Sequence, residues 1–192
     1  MGHSQAAKAA SRERILDAAA NQISEQGMGS VAVAELMRNA GLTKGAFYGH
    51  FESRDAMIAE AARRAMQKGQ SKIDAVFLPG KKPRLEDLVD VWLHPAHALA
   101  PAGGCGICAL AGEARYAGPQ VQRVIAEQFD RNAEQIAQTI GTGKQAKAHA
   151  TAILTALIGA VSMSRAVGDV DLAQDILAKT RALILLFRDD AV

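Results

Sequence analysis

The chain has 192 residues, 49% of them hydrophobic and only 4% aromatic, which provides a sizeable core and excludes wholesale disorder. Its formal net charge of +2 is unevenly placed: residues 1–72 hold ten Lys/Arg against seven Asp/Glu, whereas residues 73–192 hold twelve against thirteen. The small positive excess at the N-terminal end has the sign that suits phosphate. No uninterrupted apolar run reaches the ~18 residues of a membrane span, and Met1–Ser4 lacks the apolar core of a signal peptide. The expected setting is therefore the cytoplasm, without membrane contact, where Cys105 and Cys108 stay reduced.

Alanine and leucine dominate and β-branched runs are scarce, so the composition predicts an all-α chain. Ser11 is a candidate N-cap for a first helix with Ile15, Leu16, Ala19 and Ile23 on one face, stopped by Gly27 and Gly29. A second short helix turns Val33, Leu36, Met37 and Ala40 inward and ends at Gly41. Gly41-Leu42-Thr43 supplies a C-terminal glycine and a new N-cap within three residues, and a third short helix follows from Lys44 to about His50. Two short helices on so tight a turn form a helix-turn-helix pattern.

A longer helix starts at Glu52 or Ser53 and runs to roughly Phe77, with Met57, Ala61, Ala65 and Ile73 inward. Pro79-Gly80-Lys81-Lys82-Pro83 reads as a surface loop. The next helix carries Leu85, Leu88, Val89 and Trp92, is interrupted near Pro95, and ends at Pro101-Ala102-Gly103-Gly104. Further helices are expected at about 105–117, 119–140, 145–167 and 170–188, with a break at Gly141-Thr142-Gly143, giving about nine in all. No strand-like alternation, internal repeat or low-complexity tract is present.

The third helix carries the chemistry. Thr43 can cap it and donate to a phosphate, where free N–H groups and the helix dipole favour an anion. Lys44 can meet phosphate or a guanine edge, or stand as a solvated lysine. Gly45 leaves room for close backbone approach. Ala46 and Phe47 offer apolar surface to a thymine methyl, although Phe47 also fits a core position, as Phe51, Leu36, Leu42 and Val33 do. Tyr48 and His50 place a hydroxyl and an imidazole on different sides of the helix. Arg38, on the second helix, is open to either a DNA contact or ordinary solvation.

Arg14-Ile15-Leu16-Asp17-Ala18-Ala19, Gly27, Val33-Ala34-Glu35-Leu36, Ala40 through Phe51, and Arg54-Asp55-Ala56-Met57-Ile58 together resemble the DNA-binding domain of the TetR/AcrR family of transcriptional regulators. The resemblance covers residues 11–60. It implies a helix-turn-helix head at residues 1–52 and a ligand-binding and dimerisation domain at 53–192. It also implies that Tyr48 and His50 grip the DNA backbone and that Arg54, usually Lys in the family, touches phosphate. Ala32 departs from the family's usual Thr or Ser and can neither cap the second helix nor reach a phosphate; Ser30 is a nearby substitute cap.

The resemblance further implies a homodimer on double-stranded operator DNA, repression relieved by a small-molecule effector, and no cofactor. Its inducer pocket lies among the middle helices, here about 53–140, with Phe77, Trp92, Cys105, Cys108, Tyr116 and Phe129 as candidates. Its last two helices pair into a four-helix bundle. Here they carry Ile153, Leu154, Leu157, Ile158 and Val161, then Leu172, Ile176, Leu183, Leu186 and Phe187. Ala156, Gly159 and Ala160 permit close approach.

His94-Pro-Ala-His97 and Cys105-Gly-Ile-Cys108 leave three readings open. The cysteines can be buried structural residues, or a redox- or electrophile-sensing pair at a helix start. They can also join His94 and His97 as four zinc ligands. A zinc- or thiol-dependent enzyme built there lacks a convincing general base, Glu113 being the nearest acid on that helix. With no phosphate loop and no Ser/His/Asp order, the chain is expected not to be an enzyme. A purely structural dimerisation protein would leave the segment from Thr43 to Phe51 unexplained.

Overall fold

The computed structural model describes residues 5–80, 82–100 and 104–186. Among these every regular element is helical, as the composition predicts. The order is α1 (Gln5–Gln26), α2 (Val33–Asn39), a 3₁₀ helix at Lys44–Gly49, α3 (Arg54–Asp74), α4 (Leu85–Leu93) and α5 (Pro95–Ala98), then α6 (Gly106–Ala114), α7 (Pro119–Ile140), α8 (Lys144–Ala166) and α9 (Val170–Leu186). Single 3₁₀ turns at Met28–Ser30 and Ala75–Phe77 complete the set.

α1 begins six residues before the expected cap at Ser11. Residues 5–10 are exposed throughout, so they carry no apolar periodicity, and helix propensity alone extends the element. Ser53 settles the start of α3: its hydroxyl accepts from the Ala56 N–H at 3.0 Å. The expected inward row of α3, Met57, Ala61, Ala65 and Ile73, is fully buried. α3 packs against α1 on one flank and against α6 and α7 on another, so it runs from the head into the larger part of the molecule.

Pro95 interrupts the fourth helix as expected, and the chain makes a fresh start there. The His94 ring Nδ1 accepts from the Ala96 N–H at 3.2 Å, and Pro95, having no N–H to satisfy, opens α5. The expected break at 101–103, Lys81 of the loop, and residues 187–188 of the last helix lie outside the described residues.

Two features of α8 and α9 refine the reading of their apolar faces. Although no run is uninterrupted, α8 has the length and composition to cross a membrane. In this fold it packs between α7 and α9. Ile153, Leu154, Leu157 and Val161 are spent on that internal core. The large apolar side chains left outside are Met163, Val170, Leu172, Leu183 and Leu186, which are 46–69% exposed, beside an unobstructed Gly159. Phe187 lies outside the described residues.

Candidate nucleic-acid interface

The segment 43–51 is short, holds Gly45 and Gly49, and winds as a 3₁₀ helix rather than the expected α-helix. Its Ala46 N–H donates to Thr43 O and its His50 N–H to Phe47 O. Two aromatic rings fasten it. Phe47 is 2% exposed and Phe51 4%, with ring centroids 5.4 Å apart. Phe47 is therefore core, and the alternative thymine contact is removed because its ring never reaches the surface.

Burying Phe47 turns its neighbours outward. Thr43, Lys44 and Gly45 are exposed, Ala46 is half-buried, and Tyr48 is 78% exposed with its ring edge-on to Phe47 at 5.3 Å. Thr43 occupies the N-cap position, but its hydroxyl makes no capping bond, contrary to the expected cap. Gly45 faces open space, with no described residue within 4 Å of where a Cβ would stand. Arg38 at the end of α2 is exposed on the same head.

His50 and Arg54 are less free than expected. The His50 ring is half-buried with an unpartnered Nδ1, and desolvation, then the charges of Lys8 and Arg12, hold it below its ordinary pKa. Arg54 donates to Val31 O at 3.2 Å, bracing the entry to α2. Ala32 caps nothing, no side chain makes a capping bond at the start of α2, and the Ser30 hydroxyl donates to Gly27 O at 2.7 Å.

Two residues outside the expected set hold the head in place. Arg12 of α1 donates two bonds from one nitrogen to the Glu60 carboxylate at 2.5 and 2.6 Å, and a third bond to His50 O at 3.2 Å. Its guanidinium also lies 4.8 Å from the Phe51 ring centre. It thus ties α1, the end of the 3₁₀ helix and α3 together. Arg12→Ala is expected to lower stability by about 1–2 kcal/mol, a charged hydrogen-bond loss discounted for partial exposure. Urea unfolding measures it, and Arg12→Lys is expected to recover only part, since ammonium lacks the planar fork.

Glu113, at the far end of α6, accepts from the backbone N–H groups of Met28 and Gly29 at 2.8 and 3.3 Å. Gly27 makes this possible, with φ at +83° and a position where any Cβ would overlap the Glu113 carboxylate. Arg12 and Glu113 act over sequence separations of 38 to 85 residues, which periodicity cannot reveal.

Residues 15–61 match the family model described as bacterial regulatory proteins, tetR family, and residues 82–179 match the tetracyclin repressor-like C-terminal domain. The chain belongs to the tetR family. A Bacillus subtilis (strain 168) protein, the uncharacterized HTH-type transcriptional regulator YdgC, is 44% identical over 50 residues, 26% of each chain. The HTH-type transcriptional regulator AcrR of Shigella flexneri is 39% identical over 49 residues, 26% of this chain and 23% of that one. The matched stretch thus spans about a quarter of these relatives' length. Among solved structures, a TetR transcriptional regulator from Chloroflexus aurantiacus J-10-FL superposes with a TM-score of 0.73 at 25% identity, covering 93% of this chain and 96% of that one.

In this tetR-family chain the candidate pocket residues scatter. Trp92 and Cys105 line one small interior cavity of about 10 Å³ together with Gln70, His97, Gln128 and Asn132. Cys108 stands behind Cys105, Phe77 and Phe129 are half-buried elsewhere, and Tyr116 is 78% exposed beneath the Arg115 guanidinium. A recess of about 710 Å³ beside the α7–α8 turn is an open groove lined by none of them. The four residues of the alternative zinc reading also separate: His94 is exposed and caps α5, His97 is 3% exposed, and no described group of three or more His, Cys, Asp or Glu can hold a metal.

Proposed function

We propose that this chain is a DNA-binding transcriptional regulator, with residues 1–52 as the reading head and 53–192 as the effector-binding and dimerisation part. It acts in the cytoplasm as a homodimeric repressor that leaves its operator when the larger part binds a small molecule. The reading is carried by one observation: buried Phe47 and Phe51 hold a short recognition helix whose outward face is Thr43, Lys44, Gly45 and Tyr48. Lys44 supplies charge to phosphate or to a guanine edge, Tyr48 and Thr43 supply hydroxyls, and Gly45 permits the backbone to approach.

The dimer reading is supported by the exposed Met163, Val170, Leu172, Leu183 and Leu186, an apolar surface that a second copy of α8 and α9 would cover. Two recognition helices then enter successive major grooves of a pseudo-palindromic site. An effector acts by preferring the arrangement of α3 that spaces the heads wrongly for DNA. The cavity of about 10 Å³ is far below the ~300–1,000 Å³ of ordinary ligand sites, so a larger effector must part the helices to enter.

The test is electrophoretic mobility shift on the DNA upstream of the chain's own gene, with sedimentation analysis of the complex. Two protomers bound to one pseudo-palindromic fragment support the reading. A monomer in solution, or equal affinity for unrelated DNA, contradicts it.

A further inference from the structure

Cys105 and Cys108 occupy the N-cap and third positions of α6, with Sγ atoms 3.0 Å apart. At this helix end free N–H groups and the dipole favour a thiolate over a thiol. Cys105 is 4% exposed and lines the small cavity, while Cys108 is half-buried and contacts Ile158 O of α8 at 3.7 Å. The cavity's other polar walls are Gln70, Gln128, Asn132 and His97, whose two buried ring nitrogens have no hydrogen-bond partner. The space is on the scale of one water molecule, lined by both polar and apolar groups, and bordered by a sulfur.

We infer that Cys105 and Cys108 form a modification site for a small peroxide, closing to a disulfide that loosens the head through α6. The inference rests on the regulator reading for its DNA consequence only. The hydrogen bond from the Cys108 thiol, with His97 acting in the same direction, holds Cys105 below the ordinary thiol pKa despite its burial. The same bond and burial push Cys108 up. Cys105, which borders the cavity and accepts from the Cys108 thiol, is the attacking group, and Cys108 is the resolving one.

The Cys105 thiolate attacks one peroxide oxygen; the O–O bond breaks, a sulfenic acid forms, and the departing hydroxide takes up the proton Cys105 released. Cys108, giving up its own proton, then attacks the Cys105 sulfur; the S–OH bond breaks and a second water leaves. Two thiols and one peroxide become one disulfide and two waters. The sulfurs must approach from 3.0 Å to about 2.05 Å, which pulls Cys108 from Ile158.

The turn that moves has no slack. A Cβ on Gly106 would lie 2.7 Å from Met66 Cα, and one on Gly69 would lie 2.3 Å from Gly104 O, so the start of α6 rests directly on the α3 backbone. The other end of α6 carries Glu113, which holds the Met28 and Gly29 N–H groups of the head. One nine-residue helix therefore joins the thiol pair and α3 at one end to the DNA-reading unit at the other.

The experiment treats the purified full-length protein with hydrogen peroxide. It follows thiol titration and intact mass, amide exchange at residues 27–31, and affinity for the upstream DNA fragment. Expected are loss of both thiols with loss of two hydrogens in mass, faster exchange at Met28 and Gly29, and affinity reduced on the order of tenfold, all reversed by dithiothreitol. Cys108→Ser and, separately, Cys105→Ser are expected to abolish the exchange response. Thiols that survive treatment, or a disulfide that leaves exchange at 27–31 unchanged, overturn the inference. If the reduced protein binds no DNA the regulator reading fails, while the mass and exchange results still decide the thiol site.

Discussion

Phe47→Ala is expected to cost about 3–5 kcal/mol, the range for emptying a buried phenylalanine site, and to abolish specific DNA binding together with the folded head. Phe47 is 2% exposed and packs on both Tyr48 and Phe51, so its removal leaves a cavity beneath the recognition helix. A loss of that size consumes much of the roughly 5–15 kcal/mol that typically holds a protein folded. The adjacent Tyr48→Ala gives the opposite pattern. At 78% exposure it is expected to shift stability by roughly 0.5 kcal/mol or less while weakening DNA affinity. Urea unfolding beside DNA titration separates the two. A stability loss for Tyr48→Ala that equals or exceeds that for Phe47→Ala would contradict the assignment of inward and outward faces in this segment.

The second large effect is expected where α6 meets α3. Gly106→Ala places a Cβ 2.7 Å from Met66 Cα and 3.1 Å from Met66 N, and backbone atoms cannot swing aside as a side-chain tip can. The overpacking is expected to cost about 1–3 kcal/mol, outweighing any gain from replacing glycine in a helix. Gly112 on the same helix has nothing within 4 Å of where a Cβ would stand, so Gly112→Ala is expected to stabilise by about 0.5–1 kcal/mol. Thermal melts of the pair are decisive. If both substitutions stabilise, α6 does not bear on α3.

Local signals in the chain carry far into this fold. Gly27, Gly41 and the Gly141-Thr142-Gly143 break mark helix ends, Ser53 caps α3, and the 3.6-residue rhythm of Met57, Ala61, Ala65 and Ile73 identifies its buried face. The start of α1 is hidden from such signals because residues 5–10 are exposed and show no rhythm. The faces of α8 and α9 escape them for a different reason. Both helices are apolar on more than one side, and only tertiary packing shows that Leu154 and Leu157 point in while Met163 and Leu183 point out.

The candidate site divides along the same line. Lys44, Gly45 and Tyr48 are legible from their order after Gly41-Leu42-Thr43, and the structure leaves all three exposed. Whether Phe47 faces in or out depends on winding, and a 3₁₀ turn cannot be told from an α-turn over six residues of sequence. Arg12 and Glu113 sit in ordinary polar stretches and matter only through partners far along the chain. The four residues of the alternative zinc reading are close in sequence, yet a proline restart turns His94 outward to cap α5.

That the outward face of residues 43–48 reads DNA is tested most directly by the salt dependence of operator binding in the Lys44→Ala/Tyr48→Phe double variant. Each phosphate-neutralising charge removed is expected to reduce the slope of log affinity against log salt by roughly 0.9. Affinity is expected to weaken at every salt concentration and the slope to become shallower, with the melting temperature unchanged. A double variant that binds the operator with the parent's affinity and slope would contradict this assignment.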